Sequence, residues 1–354
     1  MNKTLSPESF AQCPLPITKH DTIQLSHGSG GKMMNDLIGK LFLWAYDNDL
    51  LNKLDDQAVF DLNGQRLAFS TDSFVVDPIF FPGGDIGELA VNGTINDVCM
   101  SGAKPLFLSA GFIIEEGFQL EDLKRIVESM RAAAKQAGVS IVTGDTKVVN
   151  KGKGDKVFIN SSGIGLIEHK FMISATNLKP GDLLILSGTL ADHGMAILSK
   201  REGLAFDAPI ESDTAALHGL VERILDAGGS AVHAMRDPTR GGLAATLNEF
   251  ADASNVGIRI QESRIPVKAP VAGACEILGM DPLYVANEGK LVVAVARESA
   301  QSVLKAMQAH PLGREAVIIG DVVEDKPGLV SMQTHIGGWR IVDMLVGEQL
   351  PRIC

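Results

Sequence analysis

Strand-like and helix-like segments alternate along this chain, and the alternation breaks most clearly at the turn-rich segment 178–182, Leu-Lys-Pro-Gly-Asp. This alternation predicts an α/β or α+β architecture. The Pro-Gly turn chemistry marks a natural connection between two folding units, so we place a domain boundary near residue 175. At 354 residues, the chain is long enough for two domains with well-buried cores.

Hydrophobic periodicity locates the main elements on both sides of this boundary. In the first half it predicts helices at 37–44, 86–100 and 120–134 and strands at 59–62, 66–70, 139–142 and 157–167. In the second half it predicts strands at 183–186 and 291–295 and helices at 214–227, 243–253 and 301–310.

Composition narrows the class of protein. Hydrophobic residues make up 45% of the chain and charged residues 21%, which is typical of a packed globular protein. The net charge of -11 argues against nucleic-acid binding, which depends on clustered Lys and Arg. Residues 1–20 lack the pattern of a signal peptide, and no run of eighteen apolar residues occurs. We therefore expect a cytoplasmic protein with neither nucleic-acid nor membrane partners.

Acidic residues beside small residues or at predicted element ends form the most informative polar set. They are Asp56, Asp72, Asp97, Asp145 and Asp237. Carboxylates in such places can reach a Mg²⁺ ion that bridges nucleotide phosphates. Each one could equally be a turn or cap residue, and spacing alone does not show that they converge.

Two glycine-rich segments offer a possible phosphate site. His27-Gly28-Ser29-Gly30-Gly31-Lys32 could direct backbone N–H groups and an ammonium to phosphates, or it could be an ordinary flexible loop. It is not a Walker A loop, because Met33 follows Lys32 where that motif needs Ser or Thr. Arg240-Gly241-Gly242, before a predicted helix, is similarly ambiguous.

The sequence leaves the roles of three further side chains undecided. Lys147 and Glu288 are candidate acid/base groups if the fold brings them together, but surface salt bridges or caps explain them equally well. His193, in Asp192-His193-Gly194, could cap the following helix or touch a ligand.

The four cysteines are Cys13, Cys99, Cys275 and Cys354, and they contain no Cys-x-x-Cys pair. Neither a zinc site nor a disulfide framework is therefore indicated. Cys99 and Cys275 lie in apolar helical patterns that are typical of core residues. Cys354 is the last residue, and a mobile tail could insert its thiol into an active site and then withdraw it. Prenylation is not indicated, because it would need the cysteine fourth from the end and Cys354 is the last residue.

Together these motifs resemble the HypE family of hydrogenase maturation factors, in the ATP-binding superfamily that includes aminoimidazole ribonucleotide synthetase and selenophosphate synthetase. The short glycine and aspartate motifs indicate only the superfamily, whereas the terminal Pro-Arg-Ile-Cys is specific. The resemblance covers nearly the whole chain after the leader and is carried by residues 27–31, 69–73, 96–97, 144–149, 239–242, 287–290 and 351–354.

The resemblance implies a two-domain PurM-like fold, like that of aminoimidazole ribonucleotide synthetase. We expect a flexible leader over residues 1–22, an ATP-binding and dimerisation domain over 23–174, a C-terminal α+β domain over 175–334, and a segment over 335–354 that ends in a mobile tail with Cys354. The N-terminal domain would pair with its copy in a homodimer through a shared β-barrel.

The resemblance also implies roles for individual residues. Mg²⁺ would be held by Asp56, Asp97 and Asp237. The nucleotide would be bound by His27, Gly30, Gly31, Lys32, Asp72, Asp145, Thr146, Arg240 and Gly241. The catalytic residues would be Cys354, Lys147 and Glu288, and either Lys147 or Glu288 could accept the proton.

In this family, the carbamoyltransferase HypF places a carbamoyl group on the terminal cysteine. ATP then drives its dehydration to a protein thiocyanate. The cyanide passes to iron on a HypC–HypD scaffold and becomes a ligand in nickel–iron hydrogenase. The resemblance therefore implies ATP and Mg²⁺ as cofactors and HypF and HypC–HypD as partners.

The long leader departs from the family pattern, and Cys13 within it has no evident role. A selenophosphate synthetase-like enzyme is an alternative, but it would need a reactive cysteine or selenocysteine in the Gly-rich segment 27–32, which contains neither. A second alternative is a non-catalytic adaptor that binds nucleotide and docks maturation partners through its tail.

Overall fold

The computed structural model describes residues 22–204, 206, 208–347 and 352–354. The predicted leader and Cys13 lie outside the described residues, apart from Thr22. Residues 348–351 of the predicted mobile tail also lie outside them.

The first half contains four α-helices and seven strands among the described residues. In chain order these are α1 (Lys32–Leu37), α2 (Leu43–Tyr46), β1 (Ala58–Leu62), β2 (Gln65–Phe74), β3 (Phe80–Phe81), β4 (Gly84–Asp85), α3 (Ile86–Cys99), β5 (Lys104–Glu115), α4 (Leu120–Ala137), β6 (Ser140–Val149) and β7 (Val157–Ile167).

Five of these strands form one sheet in the order β1-β2-β7-β5-β6, in which β5 and β6 are parallel and the other pairs antiparallel. β2 runs to Phe74, so Asp72 lies inside the strand and not at its predicted carboxyl end. β6 likewise runs through Gly144 to Lys147, which the sequence placed after the strand. β2 and β6 are longer than apolar periodicity predicts, because their backbones stay hydrogen-bonded to the neighbouring strands beyond the apolar residues.

The helix predicted at 37–44 is divided between α1, a π-helical turn at Ile38–Phe42, and α2. The prediction of α3 is confirmed almost to the residue. Its N-cap is Asp85, whose Oδ1 accepts hydrogen bonds from Gly87 N at 2.7 Å and Glu88 N at 3.2 Å. Since nearly all residues of α3 are buried, this helix lies between the sheet and the rest of the molecule.

The second half contains five α-helices and seven strands among the described residues. They are β8 (Leu183–Leu186), α5 (Asp192–Arg201), α6 (His218–Gly228), β9 (Val232–Arg236), α7 (Gly242–Ser254), β10 (Gly257–Gln261), α8 (Ala269–Leu278), β11 (Val292–Val295), α9 (Ala300–Gln308), β12 (Val317–Val323), β13 (Val330–Gln333) and β14 (Trp339–Ile341).

These strands form a second sheet in the order β14-β13-β10-β12-β8-β11-β9. One core cluster joins the sheet to α5, α7 and α8, and another joins it to α6 and α9. The predicted alternation of strands and helices is therefore confirmed, with one sheet on each side of residue 175. β14 falls in the predicted C-terminal segment, where it pairs with β13. The domain limits given above remain a prediction.

One buried amide on α3 connects the two halves. Asn96 Nδ2 donates to Ala215 O and to Glu288 O, both at 3.0 Å. Its Oδ1 accepts from Leu217 N at 2.8 Å. The end of α3 that carries Asp97 is thus fixed against the second half, next to the loop that carries Glu288.

Candidate active site

Four of the predicted acidic residues come together where the two halves meet. Asp56 precedes β1, Asp72 lies in β2, Asp97 lies in the last turn of α3, and Asp237 follows β9. All four line one cavity of about 760 Å³, a size typical of small-molecule sites. The structure therefore brings together carboxylates that are up to 181 positions apart in sequence, which spacing alone could not show.

Burial and mutual repulsion dominate the electrostatics of these acids. Burial, followed by the charges of Asp237, Asp72 and Asp56, raises the pKa of Asp97 well above its ordinary value. Burial and then Asp56 do the same to the pKa of Asp237. Burial raises the pKa of Asp56 to about 6, against the lowering effect of Arg236. A cation entering the cavity would relieve this repulsion.

The hydrogen bonds of this acidic cluster leave two oxygens over. Ser70 Oγ lies 2.8 Å from both Asp97 Oδ2 and the Asp56 carbonyl oxygen, and its single proton can be donated to either. Arg236 Nε lies 2.7 Å from Asp56 Oδ1. Asp56 Oδ2 and Asp237 Oδ2 are buried, and neither has a hydrogen-bond partner among the described residues. Buried polar atoms of this kind often mark the place of an ion or a water molecule.

The donors fit Mg²⁺ only in part. Carboxylate oxygens are its preferred protein ligands, and two of them here are without partners. Yet in the described part of the chain, no three His, Cys, Asp or Glu side chains lie close enough together to hold a metal ion. This arrangement fits an ion that takes one or two carboxylates from the protein and its other ligands from phosphates and water.

The two glycine-rich segments lie against each other beside this cavity. Gly30 has φ +77°, and a Cβ placed on it would lie 2.5 Å from the Arg240 carbonyl carbon. Gly241 has φ +79°, and its Cβ would lie 2.6 Å from the Gly30 carbonyl oxygen. Both positions need glycine for conformation and for close approach. Gly30, Asp72 and Arg240 line the cavity, and the Arg240 guanidinium lies 3.8 Å from Asp72 Oδ1.

Other predicted nucleotide residues occupy supporting or remote positions. Gly31 packs on the Leu345 carbonyl, and Lys32 N donates to that oxygen at 2.7 Å while its side chain is exposed. His27 is buried, and its Nδ1 accepts from Gln24 N at 2.9 Å.

Asp145, Thr146 and Lys147 are exposed on β6. Lys147 Nζ is paired with Asp145 Oδ2 at 2.8 Å, which with the Thr146 N–H lowers the pKa of Asp145.

The last three residues are docked in the protein, which is the inserted one of the two positions expected for the tail. Val75 N donates to the main-chain oxygen of Cys354 at 2.9 Å, and Asp77 N donates to the Arg352 carbonyl at 3.2 Å. Ile353 and Cys354 are buried in the core cluster of the first half. The terminal thiol is therefore held inside the protein, beyond the end of β2.

The charges around this thiol come from the cavity just described. Burial raises the pKa of Cys354 to about 12, with Glu288, Asp72 and Asp97 adding to the increase and Arg240 opposing it. In turn, Cys354 is the main cause of the raised pKa of Arg240. The thiol is thus electrostatically part of the acid-lined site.

Glu288 and Lys147 are not brought together within one chain. Glu288 is buried, and its Oε2 would lie 3.8 Å from a Cβ on Gly93 of α3. Burial, then Asp237 and Asp72, raises its pKa well above the ordinary value, while Arg240 opposes this increase. Lys147 instead belongs to the exposed strand β6. Of these two candidates, Glu288 and not Lys147 is among the groups that influence the pKa of Cys354.

Sequence reasoning missed Arg236, which lies between two acids of the site. Its guanidinium contacts Glu249 Oε2 at 2.6 Å in addition to Asp56. A charged residue at the end of the apolar strand 232–236, directly before Asp237, was the available signal. It also missed Asn96 as the connection between the halves, because an amide in an apolar helix gives no sign of its partners.

Among the described residues, we find no helix both long enough and apolar enough to cross a lipid bilayer.

Comparisons with known proteins agree over most of the chain. Residues 54–167 match the model of the AIR synthase related protein, N-terminal domain, and residues 179–331 match the model of the corresponding C-terminal domain. A curated relative, carbamoyl dehydratase HypE from Bradyrhizobium diazoefficiens, is 57% identical over 95% of this chain and 97% of its own length.

Two solved structures are similar throughout. The HypE chain of a HypE–HypF complex has a TM-score of 0.83 at 53% identity, covering 87% of this chain and 99% of that one. The hydrogenase maturation protein HypE in complex with ATP has a TM-score of 0.79 at 50% identity, covering 94% of this chain and 100% of that one.

Proposed function

This chain belongs to the HypE family of the AIR synthase related proteins and is an ATP-dependent carbamoyl dehydratase of hydrogenase maturation, and we propose that Cys354 is the residue on which it acts. The predicted two-domain PurM-like fold is confirmed by the match to both domain models. The observation that carries the Cys354 proposal is the docking of this residue on Val75 N, which buries it in the core cluster of the first half, where the charges of Arg240, Glu288 and Asp72 influence the pKa of its thiol.

The reaction converts S–C(=O)–NH2 on the cysteine to S–C≡N. The amide oxygen attacks the γ-phosphorus of ATP, and ADP leaves. The nitrogen loses two protons, the C–O bond breaks, and phosphate departs with the former amide oxygen. Phosphorylation matters because phosphate is a far better leaving group than hydroxide.

Within the chain, Glu288 is the proposed proton acceptor. Its charge raises the pKa of the Cys354 thiol, and its own raised pKa makes its carboxylate a stronger base than an ordinary glutamate. We propose that the Arg240 guanidinium stabilises the negative charge that develops on the transferred phosphoryl group. Gly30 and Gly241 let the two glycine-rich segments pack closely together, which holds Arg240 at the wall of the cavity.

We assign the metal to the carboxylates of Asp56, Asp97 and Asp237, of which one or two would bind it directly, with Asp72 at the nucleotide. Mg²⁺ would arrive with ATP, because the carboxylates alone do not form a complete ligand set. Bound there, it would neutralise phosphate charge. The unpartnered oxygens of Asp56 and Asp237 support this assignment.

A second copy of the chain would bring the remaining predicted residues to the site. β6 is an edge strand with nine of its ten residues exposed, including Val142 and Val148. Such an edge calls for a covering partner. We propose a homodimer through the first-half sheets, closed as a shared β-barrel, in which Asp145, Thr146 and Lys147 of one protomer serve the site of the other.

The tail must also meet other proteins. We propose that a HypF-type carbamoyltransferase loads Cys354, in keeping with the solved HypE–HypF complex. A HypC–HypD scaffold is the proposed acceptor of the cyanide.

The test is intact-protein mass spectrometry with an ¹⁸O-labelled carbamoyl donor and HypF. The mass should rise by one carbamoyl group and, only with Mg-ATP, fall by one water, with the ¹⁸O recovered in inorganic phosphate. Cys354→Ala should gain no mass yet still bind Mg-ATP. The Cys354 proposal is wrong if peptide mapping places the label on Cys13, Cys99 or Cys275. A carbamoylated chain that binds ATP without losing water would instead be the non-catalytic adaptor.

A further inference from the structure

The docked tail is gripped from two sides. On the first-half side, the backbone N–H groups of Val75 and Asp77 hydrogen-bond to the tail. In the other direction, Arg352 Nε of the tail donates to the Val75 carbonyl at 2.9 Å. Arg352 also pairs with Asp155. These contacts run along the chain that leaves β2.

On the second-half side, both contacts come from side chains of α5. His193 Nε2 lies 2.9 Å from the Ile353 carbonyl oxygen. Arg201 donates to the Arg352 carbonyl at 2.7 Å and, through Nε, to the Asp77 carbonyl at 2.8 Å. The carbonyls of Arg352 and Ile353 are therefore both bound by α5. Through Asp77, Arg201 also connects α5 to the first half.

The partners of His193 determine its tautomer. A carbonyl oxygen can only accept, so Nε2 must carry the proton and donate to Ile353. Ser212 Oγ lies 2.7 Å from Nδ1 and accepts from Thr214 N at 3.1 Å. The imidazole is thus oriented from both ring nitrogens, with Nε2 towards the tail. Burial lowers the pKa of His193, which favours the neutral form.

These contacts depend on where the tail backbone lies and not on what the Cys354 sulfur carries. They are directed at main-chain carbonyls, and nothing in them touches the thiol. A contact of this kind fixes how far Cys354 enters the site without interfering with whatever group the sulfur carries. The hydrogen bonds are also individually weak enough to be exchanged for water when the tail leaves.

We propose that His193 and Arg201 form a tail latch, which positions the terminal cysteine for dehydration and must open before that cysteine can be carbamoylated. The latch rests on the proposed function of Cys354. His193 and Arg201 are positioning residues, since the hydrogen bonds described for them on the tail go to main-chain oxygens. His193, which the sequence left undecided between a helix cap and a ligand contact, thereby gains a role.

The latch predicts opposite effects on two reactions of the same residue. In His193→Leu the donor to Ile353 is lost, so the tail should spend more time released. Alkylation of Cys354 by iodoacetamide should then rise about two- to tenfold, the worth of one hydrogen bond. ATP-dependent dehydration should fall, by up to about a hundredfold if the adduct is displaced by about 1 Å.

Matched variants separate a latch from ordinary packing. His193→Gln places an amide N–H near the position of Nε2 and should restore both reactions towards wild type. Buried Cys99 and Cys275 serve as internal controls in the same alkylation sample, because general loosening would expose them as well. Mg-ATP binding should be unchanged in both variants.

Arg201→Met provides a second test if His193→Leu does not fold, with the same pair of opposite effects expected. The latch is overturned if the folded variant alkylates and dehydrates like wild type, or if all three described cysteines gain reactivity together. Failure of the proposed function looks different: wild type would then take up no carbamoyl group, while the alkylation arm would still show whether the tail is held.

Discussion

At the scale of single residues, the site depends on acids that repel one another. Asp56, Asp72, Asp97 and Asp237 each looked like an ordinary turn or cap residue in sequence. Their convergence comes from four separate elements and could be expected only through the family resemblance. Lys147 shows the converse, because the same resemblance paired it with Glu288, yet one protomer keeps the two apart.

We expect Asp97→Asn and Asp237→Asn each to weaken Mg-ATP binding by about tenfold or more, because each change removes a charge from the metal-facing cluster. Calorimetric titration with and without EDTA measures this effect. Chelation should cost wild type much more affinity than it costs either variant. Asp226→Asn is the matched control, since it removes an equal charge from an exposed side chain. Equal affinities in all four proteins would contradict the metal assignment.

The thiol of Cys354 should show an unusual pH profile. Its pKa is raised to about 12 in the docked tail, against 9.0 for an ordinary thiol. Docking therefore favours the protonated thiol: this preference is fully present below pH 9 and is lost as the pH rises towards 12. The alkylation rate should keep rising past pH 9, where a released thiol levels off. The urea-unfolded chain is the control, and a plateau near pH 9 in the folded protein would show that the tail is not held.

At the scale of elements, apolar periodicity located the interior of most helices and strands but not their ends. The predicted strand at 139–142 is the first part of β6, which continues to Val149 because β5 pairs with it. Periodicity also could not show that β6 is an edge with its side chains exposed. That property belongs to the sheet order, which no local pattern contains.

The exposed strand β6 predicts which substitutions would break the proposed homodimer. Val142→Lys with Val148→Lys places two charges on β6, and burying them against a partner would be unfavourable. We expect the dimer dissociation constant to rise by at least about tenfold, or 1.4 kcal/mol. Light scattering across a micromolar concentration series measures it. Ile277→Lys, at an exposed position on α8, is the control. A monomeric wild type would refute the dimer itself.

At the scale of the whole molecule, the two halves share a boundary that is built around α3. The break near residue 175 was readable from turn chemistry, and the two sheets lie on either side of it. What the sequence could not give is the docking of one half on the other. That depends on contacts such as Asn96 to Glu288, which are 192 residues apart.

Asn96→Ala should destabilise the whole protein. It would leave the carbonyls of Ala215 and Glu288 and the N–H of Leu217 without their partner, at a cost of about 3 kcal/mol or more. Urea unfolding measures the change in the free energy of unfolding. Asn52→Ala is the control: its amide is exposed, so the change should stay within about 0.5 kcal/mol. If both variants lost the same free energy of unfolding, the Asn96 side chain would not be an important connection between the halves.

The same amide sets a delay during synthesis. At about 5–20 residues per second, the ribosome needs roughly 10–40 seconds to travel the 192 residues from Asn96 to Glu288. Throughout that interval the first half is already long enough to collapse, while one side of α3 still lacks its cover. A nascent chain in this state presents apolar surface and unpaired polar groups together. We therefore expect the half-made protein to depend on chaperones at the exit tunnel more than the finished one does, and slower translation to prolong that dependence.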